Sequence, residues 1–326
     1  MKRFTFLYAL ILLLSSSLVF NYEIDPSSYS LLIPLVRKDV ISDILKSLPN
    51  KKYTNILQMS NSMAKAKEEY SLNDAEAAYL VYAWMGKILY RDCNTENTDY
   101  EFPTNVYNKE KGNFIGFAAL FYTLASNLNV QVVPVQGKQK ITSKNSDIYT
   151  VIDTAWNSIL IDNTYYLVDS ATGAGYCDND DFIRRNTDFY FGTKPEIFIK
   201  THIPDDSSWQ LLDKTVTLST FNSWPYISHR FYLYGMQTFS PSQNNLDVSK
   251  GSKVTITYDK EITNLSTALK FITNGKYQKY DNFKGSNGKI EIVFDGKFTT
   301  ADHLIIYASQ ESSPTDYYTV LIYTIK

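Results

Sequence analysis

The side chains able to do covalent or metal chemistry are few and widely spread. The chain holds two cysteines, Cys93 and Cys177, and three histidines, His202, His229 and His303. A thiol becomes a useful nucleophile only as the thiolate, held by a nearby base or positive charge. The histidines lie far apart in sequence, with no HExxH or other tight metal-ligand spacing. Two thiols cannot build a thiolate-rich zinc site. No metal and no other cofactor is expected. Charge excludes a further class: 32 Lys and Arg against 34 Asp and Glu give a formal net charge of −2. That leaves no basic excess for the phosphate contacts that dominate nucleic-acid affinity, so no nucleic-acid partner is expected.

The elements that must position these groups begin after a leader. Lys2 and Arg3 precede an apolar stretch from Phe4 to Leu14, followed by the small residues Ser15, Ser16 and Ser17. This reads as a secretory signal peptide, residues 1–17 or 1–20. Leu18, Val19 and Phe20 also allow an uncleaved anchor. After cleavage no membrane span remains, and the mature protein is expected to be secreted or extracellular. Asn264-Leu265-Ser266 is its glycosylation sequon.

Composition, at 44% hydrophobic and 15% aromatic residues, is that of a folded chain with a core to bury. Residues 21–72 read as polar linker and short helices. Two stretches, Ala75 to Tyr90 and Gly112 to Leu128, are apolar on nearly every side and predict central helices buried all round. The period then changes. Val130 to Val135 reads as a strand, and Thr154 to Ile161 with Tyr165 to Asp169 reads as a hairpin around Asp162-Asn163-Thr164. A polar loop is expected from Ala171 to Asp181. From residue 215 the signals are short strands with turn dipeptides at Asn274-Gly275 and Asn287-Gly288, which predicts a β-sandwich.

Five stretches, in order, carry a resemblance: Tyr79 to Asp92, Gly112 to Phe121, Thr154-Ala155-Trp156-Asn157, Leu167 to Tyr176, and the tail from Phe189 through His202-Ile203-Pro204 to Leu212. Together they resemble the transglutaminase-like superfamily, and within it the kyphoscoliosis-peptidase-like family. The resemblance covers about residues 70–215. It implies an α+β fold, a papain-like transglutaminase core at 73–214 behind an N-terminal helical segment at 21–72, with the β-sandwich at 215–326 as a second domain.

Enzymes of that family use a Cys-His-Asp triad, with the cysteine at the N-terminus of the central helix, where the helix dipole favours a thiolate. Carried onto this sequence, the nucleophile position is Phe114, the base position is Thr154, and only the acid, Asp169, remains. Phenylalanine cannot form a thioester, and threonine accepts no proton near neutral pH. The resemblance therefore implies a protein that is not an enzyme, a secreted binding or scaffolding module. Its partner would be a protein or an extracellular matrix or wall component. Two alternatives stand beside it: a cysteine peptidase or protein crosslinker with a rearranged site, and a carbohydrate- or wall-binding protein using the aromatics Trp224, Tyr226, Phe231, Tyr232 and Tyr234. Trp156 and Asn157 are expected to pack the hairpin or to frame the vestigial cleft. Asp169 is expected to be partly buried, bonded to backbone amides or Thr154, and His202 to be hydrogen-bonded in a structural corner. In such a core Cys93 and Cys177 both border the old active-site region, and an oxidising compartment would bridge them.

Overall fold

The computed structural model describes residues 24–93, 99, 101–142, 148–178, 180–310 and 316–326. The leader at 1–20 lies outside the described residues. Three helices open the chain: α1 (Lys38–Ser47), α2 (Ile56–Glu69) and α3 (Asp74–Ile88). Asn73, rather than Ser71, caps α3, with the Glu76 side chain reaching back to close a capping box. The apolar surround of α3 is buried along its length, from Ala75 to Gly86 with the exception of Ala83.

The segment at 21–72, read as polar linker and short helices, packs into the core of the first unit. Leu32, Ile33, Ile41, Ile44, Met59 and Met63 join the same buried cluster as the central helices. Arg37 ties the segment down through a two-pronged pair with buried Glu76, Nε to Oε1 at 2.5 Å and Nη2 to Oε2 at 2.7 Å. Ile41 and Ile44 of α1 and Met59 and Met63 of α2 are the buried faces of these helices, which pack against α3.

Next come β1 (Tyr90–Arg91), α4 (Pro103–Lys109), β2 (Lys111–Gly112) and α5 (Phe114–Asn127), the second central helix. Asn113 caps α5 by accepting the Gly116 amide at 2.9 Å. The strands β3 (Gln131–Thr142), β4 (Tyr149–Ile161) and β5 (Thr164–Val168) follow, and α5 packs on β3 and β4. The β4–β5 hairpin turns on Asp162 and Asn163, both left-handed at φ 47° and 61°. That pair of positive φ angles is what a two-residue turn matched to strand twist requires.

The loop expected from Ala171 to Asp181 is instead α6 (Ser170–Ala174) and a hairpin of β6 (Gly175–Asp178) and β7 (Asp181–Arg184). The Gly-Ala-Gly stretch reads as a loop, but Gly173 is there for proximity: a Cβ would overlap the Tyr82 hydroxyl of α3. With β8 (Phe191–Thr193) and β9 (His202–Pro204), the main sheet runs β8-β5-β4-β3-β9, antiparallel throughout.

The 214/215 boundary falls in a segment pinned to this first unit. Phe221 is buried with Ile199 and Ile203, and the Lys140 ammonium donates to the carbonyls of Phe221 and Trp224, each at 2.7 Å. Beyond it two sheets face each other across a second core. One holds β10 (Tyr226–Ile227), β14 (Ser266–Thr273), β15 (Lys276–Tyr280), β18 (His303–Ser309) and β19 (Tyr318–Ile325), and β12 (Asn245–Leu246) pairs at its β19. The other runs β11 (Met236–Ser240), β13 (Lys253–Tyr258), β17 (Lys289–Val293) and β16 (Phe283–Ser286). Phe231 is fully buried in that core, and Tyr232 and Tyr234 pack against it, so these aromatics fill rather than display. Among the described residues no helix is long and apolar enough to cross a membrane.

Candidate functional site

Asp169 follows β5 and caps α6, its Oδ1 accepting the Thr172 amide at 2.9 Å. It is wholly buried, and its partner is not Thr154. His202, on β9, reaches across the sheet so that Nε2 lies 3.0 Å from Asp169 Oδ2. The strand register explains the meeting. His202 stands opposite Gln139, and Thr154 opposite Gly137, two residues along β3. Side chains alternate across a strand, so Thr154 and His202 share one sheet face. The imidazole from β9 takes the contact that a base on β4 would make. Thr154 Oγ1 is left buried with no partner among the described residues.

Burial alone would raise the Asp169 pKa. The hydrogen bond and positive charge of His202, with the Thr172 bonds, outweigh it and hold the carboxyl below its ordinary value. With Asp169 ionised, Nε2 donates to it, and Nδ1 lies 2.8 Å from the Thr201 hydroxyl. The ring is sealed in, stacked on Phe198 at 4.1 Å and edge-on to Trp156 at 5.4 Å. A general base must reach the proton that it takes. This one faces a carboxylate, a neighbouring hydroxyl and aromatic walls.

Phe114 is the first residue of α5 and is buried. Its ring lies under the guanidinium of Arg91, 4.7 Å from Cζ. Cys93 and Cys177 are joined, with Cα atoms 5.7 Å apart, and neither is a free thiol. Trp156 and Asn157 do not line an open cleft. Alternation along β4 sends Trp156 under Phe198 and His202, and turns Asn157 to the other face, where its Nδ2 donates to Ala118 O on α5 at 3.1 Å. One open space near these groups is a cavity of about 420 Å³ between the first unit and the sandwich, lined by Arg91, Gln139, Thr172 and Thr201 on one side. No group of three or more His, Cys, Asp or Glu side chains among the described residues could hold a metal. Asn264 Nδ2, the acceptor atom of the sequon, donates to Gln310 O at 2.5 Å.

No protein-family model matches the chain. It is 32% identical over 230 residues to the kyphoscoliosis peptidase of Mus musculus, and 31% identical over 230 residues to that of Homo sapiens, in each case 69% of this chain and 33% of the relative. Hillarin of Drosophila melanogaster is 24% identical over half of this chain and 22% of its own length. The match to these kyphoscoliosis peptidases supports a transglutaminase-like family for this chain. The chain spans about a third of the length of the curated relatives that it matches most strongly. The crystal structure of red sea bream transglutaminase aligns with 83% of this chain and 55% of its own at 10% identity and TM-score 0.28, too weak a likeness to argue from.

Within this transglutaminase-like core, sequence reasoning found Asp169, Phe114 and both cysteines, and it missed what surrounds them. Arg91 lies inside the stretch Tyr79 to Asp92, but only burial makes it unusual. Its guanidinium is 6% exposed and meets Gly175 O at 3.5 Å and Cys177 Sγ at 3.4 Å. Burial pulls it down to about 10. His229, on the sandwich side of the cavity, is pushed down to about 3 by burial and by the charge of Arg230. The unfolded chain protonates such a ring near 6.5. Between those values the unfolded state binds more protons, so stability falls as pH drops through this window. By about pH 4.5 the loss from His229 should approach about 3 kcal/mol. His229→Phe, which keeps the aromatic contacts with Phe189 and Tyr190, should flatten that limb in urea titrations across pH. An unchanged slope would rule out a neutral buried imidazole.

Proposed function

We propose that this chain is a secreted, catalytically silent member of the transglutaminase-like family that acts as a binding or scaffolding module. The observation that carries the reading is the state of its sulfur: both cysteines are bridged, and the residue opening α5 is Phe114. Covalent catalysis by this family's route needs a thiolate at that helix start. The one buried imidazole–carboxylate pair has no thiol beside it. The sealed ring of His202 also argues against a relocated site.

Two measurements on the protein recovered from culture medium test the reading. Hydrolysis of, and amine incorporation into, glutamine peptides should not exceed buffer background, and iodoacetamide should label no cysteine until a reductant is added. A fast-labelling thiol accompanied by turnover would replace the reading with a peptidase or crosslinker. N-terminal sequencing of the same material should begin after residue 17 or 20. Retention in the membrane fraction with Met1 intact would point to an anchor.

A further inference from the structure

Two basic side chains in the first unit are buried with no described carboxylate in ion-pair reach, and both line the cavity beneath the sandwich: Asp169 acts on Arg91 only at longer range, and burial with the charge of Lys200 pulls Lys140 down to about 7. Arg91 is 6% exposed and Lys140 is 2% exposed. Burying a charge is costly unless it is paired. Yet no described carboxylate forms an ion pair with either. Lys140 finds two backbone carbonyls, and Arg91 finds one carbonyl and a disulfide sulfur, at long range.

The sandwich adds to the imbalance. Arg230 and Lys270 approach the cavity from that side, with Arg185 from β7's end. The guanidinium of Arg230 lies 4.2 Å and that of Arg185 5.4 Å from the Tyr318 ring, and Lys270 lies 5.0 Å from the Tyr307 ring. These cations rest on aromatic faces rather than on carboxylates. Asp316 is the one acidic residue among the described lining residues. Gln139 lines the same space, and its Oε1 is a buried acceptor with no partner among the described residues.

We infer that this cavity is a binding site for a small polyanion that also carries a hydroxyl, the class that includes sugar phosphates and hydroxy acids. Its acidic oxygens would supply the counter-charge that Arg91, Arg230 and Lys140 lack, and its hydroxyl would satisfy Gln139. A space of about 420 Å³ is the size of ordinary small-molecule sites. The walls come from both units, so occupancy would also fasten the sandwich to the first unit. The inference rests on the binding reading above and names the chemistry that the module takes.

Isothermal titration of the intact secreted protein with glucose 6-phosphate and with citrate, against sodium chloride at matched ionic strength, tests it. At least one probe should bind saturably, one to one, and the phosphate or carboxylate arm that succeeds identifies the anion. Arg230→Gln, at the partly exposed wall, should weaken binding about tenfold or more. Arg91→Met should do the same while leaving the unliganded protein at least as resistant to urea, because it removes an unpaired buried charge. The absence of saturable binding to either probe up to ~10 mM, weaker than about −3 kcal/mol, would overturn the site. So would binding that neither substitution weakens. Failure here would leave the thiol and turnover assays untouched, so the two readings fall separately.

Discussion

Replacing His202 with phenylalanine should cost about 3–5 kcal/mol of unfolding free energy in urea at pH 7, the range for stripping one partner from a buried ion pair. Asp169 is wholly buried, and without the imidazole its charge would rest on the Thr172 amide and the start of a five-residue helix. Phenylalanine is the informative choice, because it keeps a ring against Phe198, Trp156 and Tyr190 and removes only the donor. Asp169→Asn in the same background should recover part of the loss, since a neutral amide has less to lose on burial, and the two changes should be strongly non-additive. The pH dependence gives a second reading. A carboxyl held below its ordinary value contributes stability above its unfolded pKa, and loses it as pH falls below about 4. His202→Phe should remove that acid limb. A cost below ~1 kcal/mol with the limb intact would mean that Asp169 draws its stability from elsewhere.

The elements were legible because their signals are local. The apolar surrounds of α3 and α5, the Asp162-Asn163 turn and the left-handed Asn274-Gly275 and Asn287-Gly288 pairs follow from periodicity and backbone preference within a few residues. The resemblance assigns Phe114 and Thr154 to the nucleophile and base positions, and the structure puts them at the start of α5 and on β4. What the sequence concealed depends on meetings between distant segments. His202 and Asp169 lie 33 residues apart and come together only because β9 adds to β3 beside β4. Arg91 and Lys140 look like ordinary surface cations until Phe114 and Gly175 meet the one and the carbonyls of Phe221 and Trp224 the other. The stretch 171–181 misled because its glycines mark close packing rather than freedom, Gly173 against Tyr82 and Gly175 against Phe182 and the Ile183 carbonyl. Trp156 and Asn157 could be read either as packing the hairpin or as framing a cleft, and alternation along β4 packs each on a different face.

Removing the bridge between Cys93 and Cys177 should be comparably damaging. The bond spans 84 positions and closes a loop that contains α4, α5 and β3 to β5, most of the first unit's core. On the chain-entropy model a loop of that length stabilises the fold by about 4–5 kcal/mol, through the unfolded state. Cys93→Ser with Cys177→Ser should lower the urea midpoint accordingly. The steepness of the transition should increase, because an uncrosslinked chain exposes more surface on unfolding. The bridge also has a native-state neighbour, since Arg91 leans on Cys177 and on Gly175 at the head of β6. If its main effect lies in the unfolded ensemble, the double serine protein should bind the cavity's anion with unchanged affinity once folded. If the bridge instead positions β6 beneath Arg91, affinity should fall while the steepness stays the same. Unfolding at the same midpoint with and without reductant, with both thiols shown to be free after reduction, would remove either role.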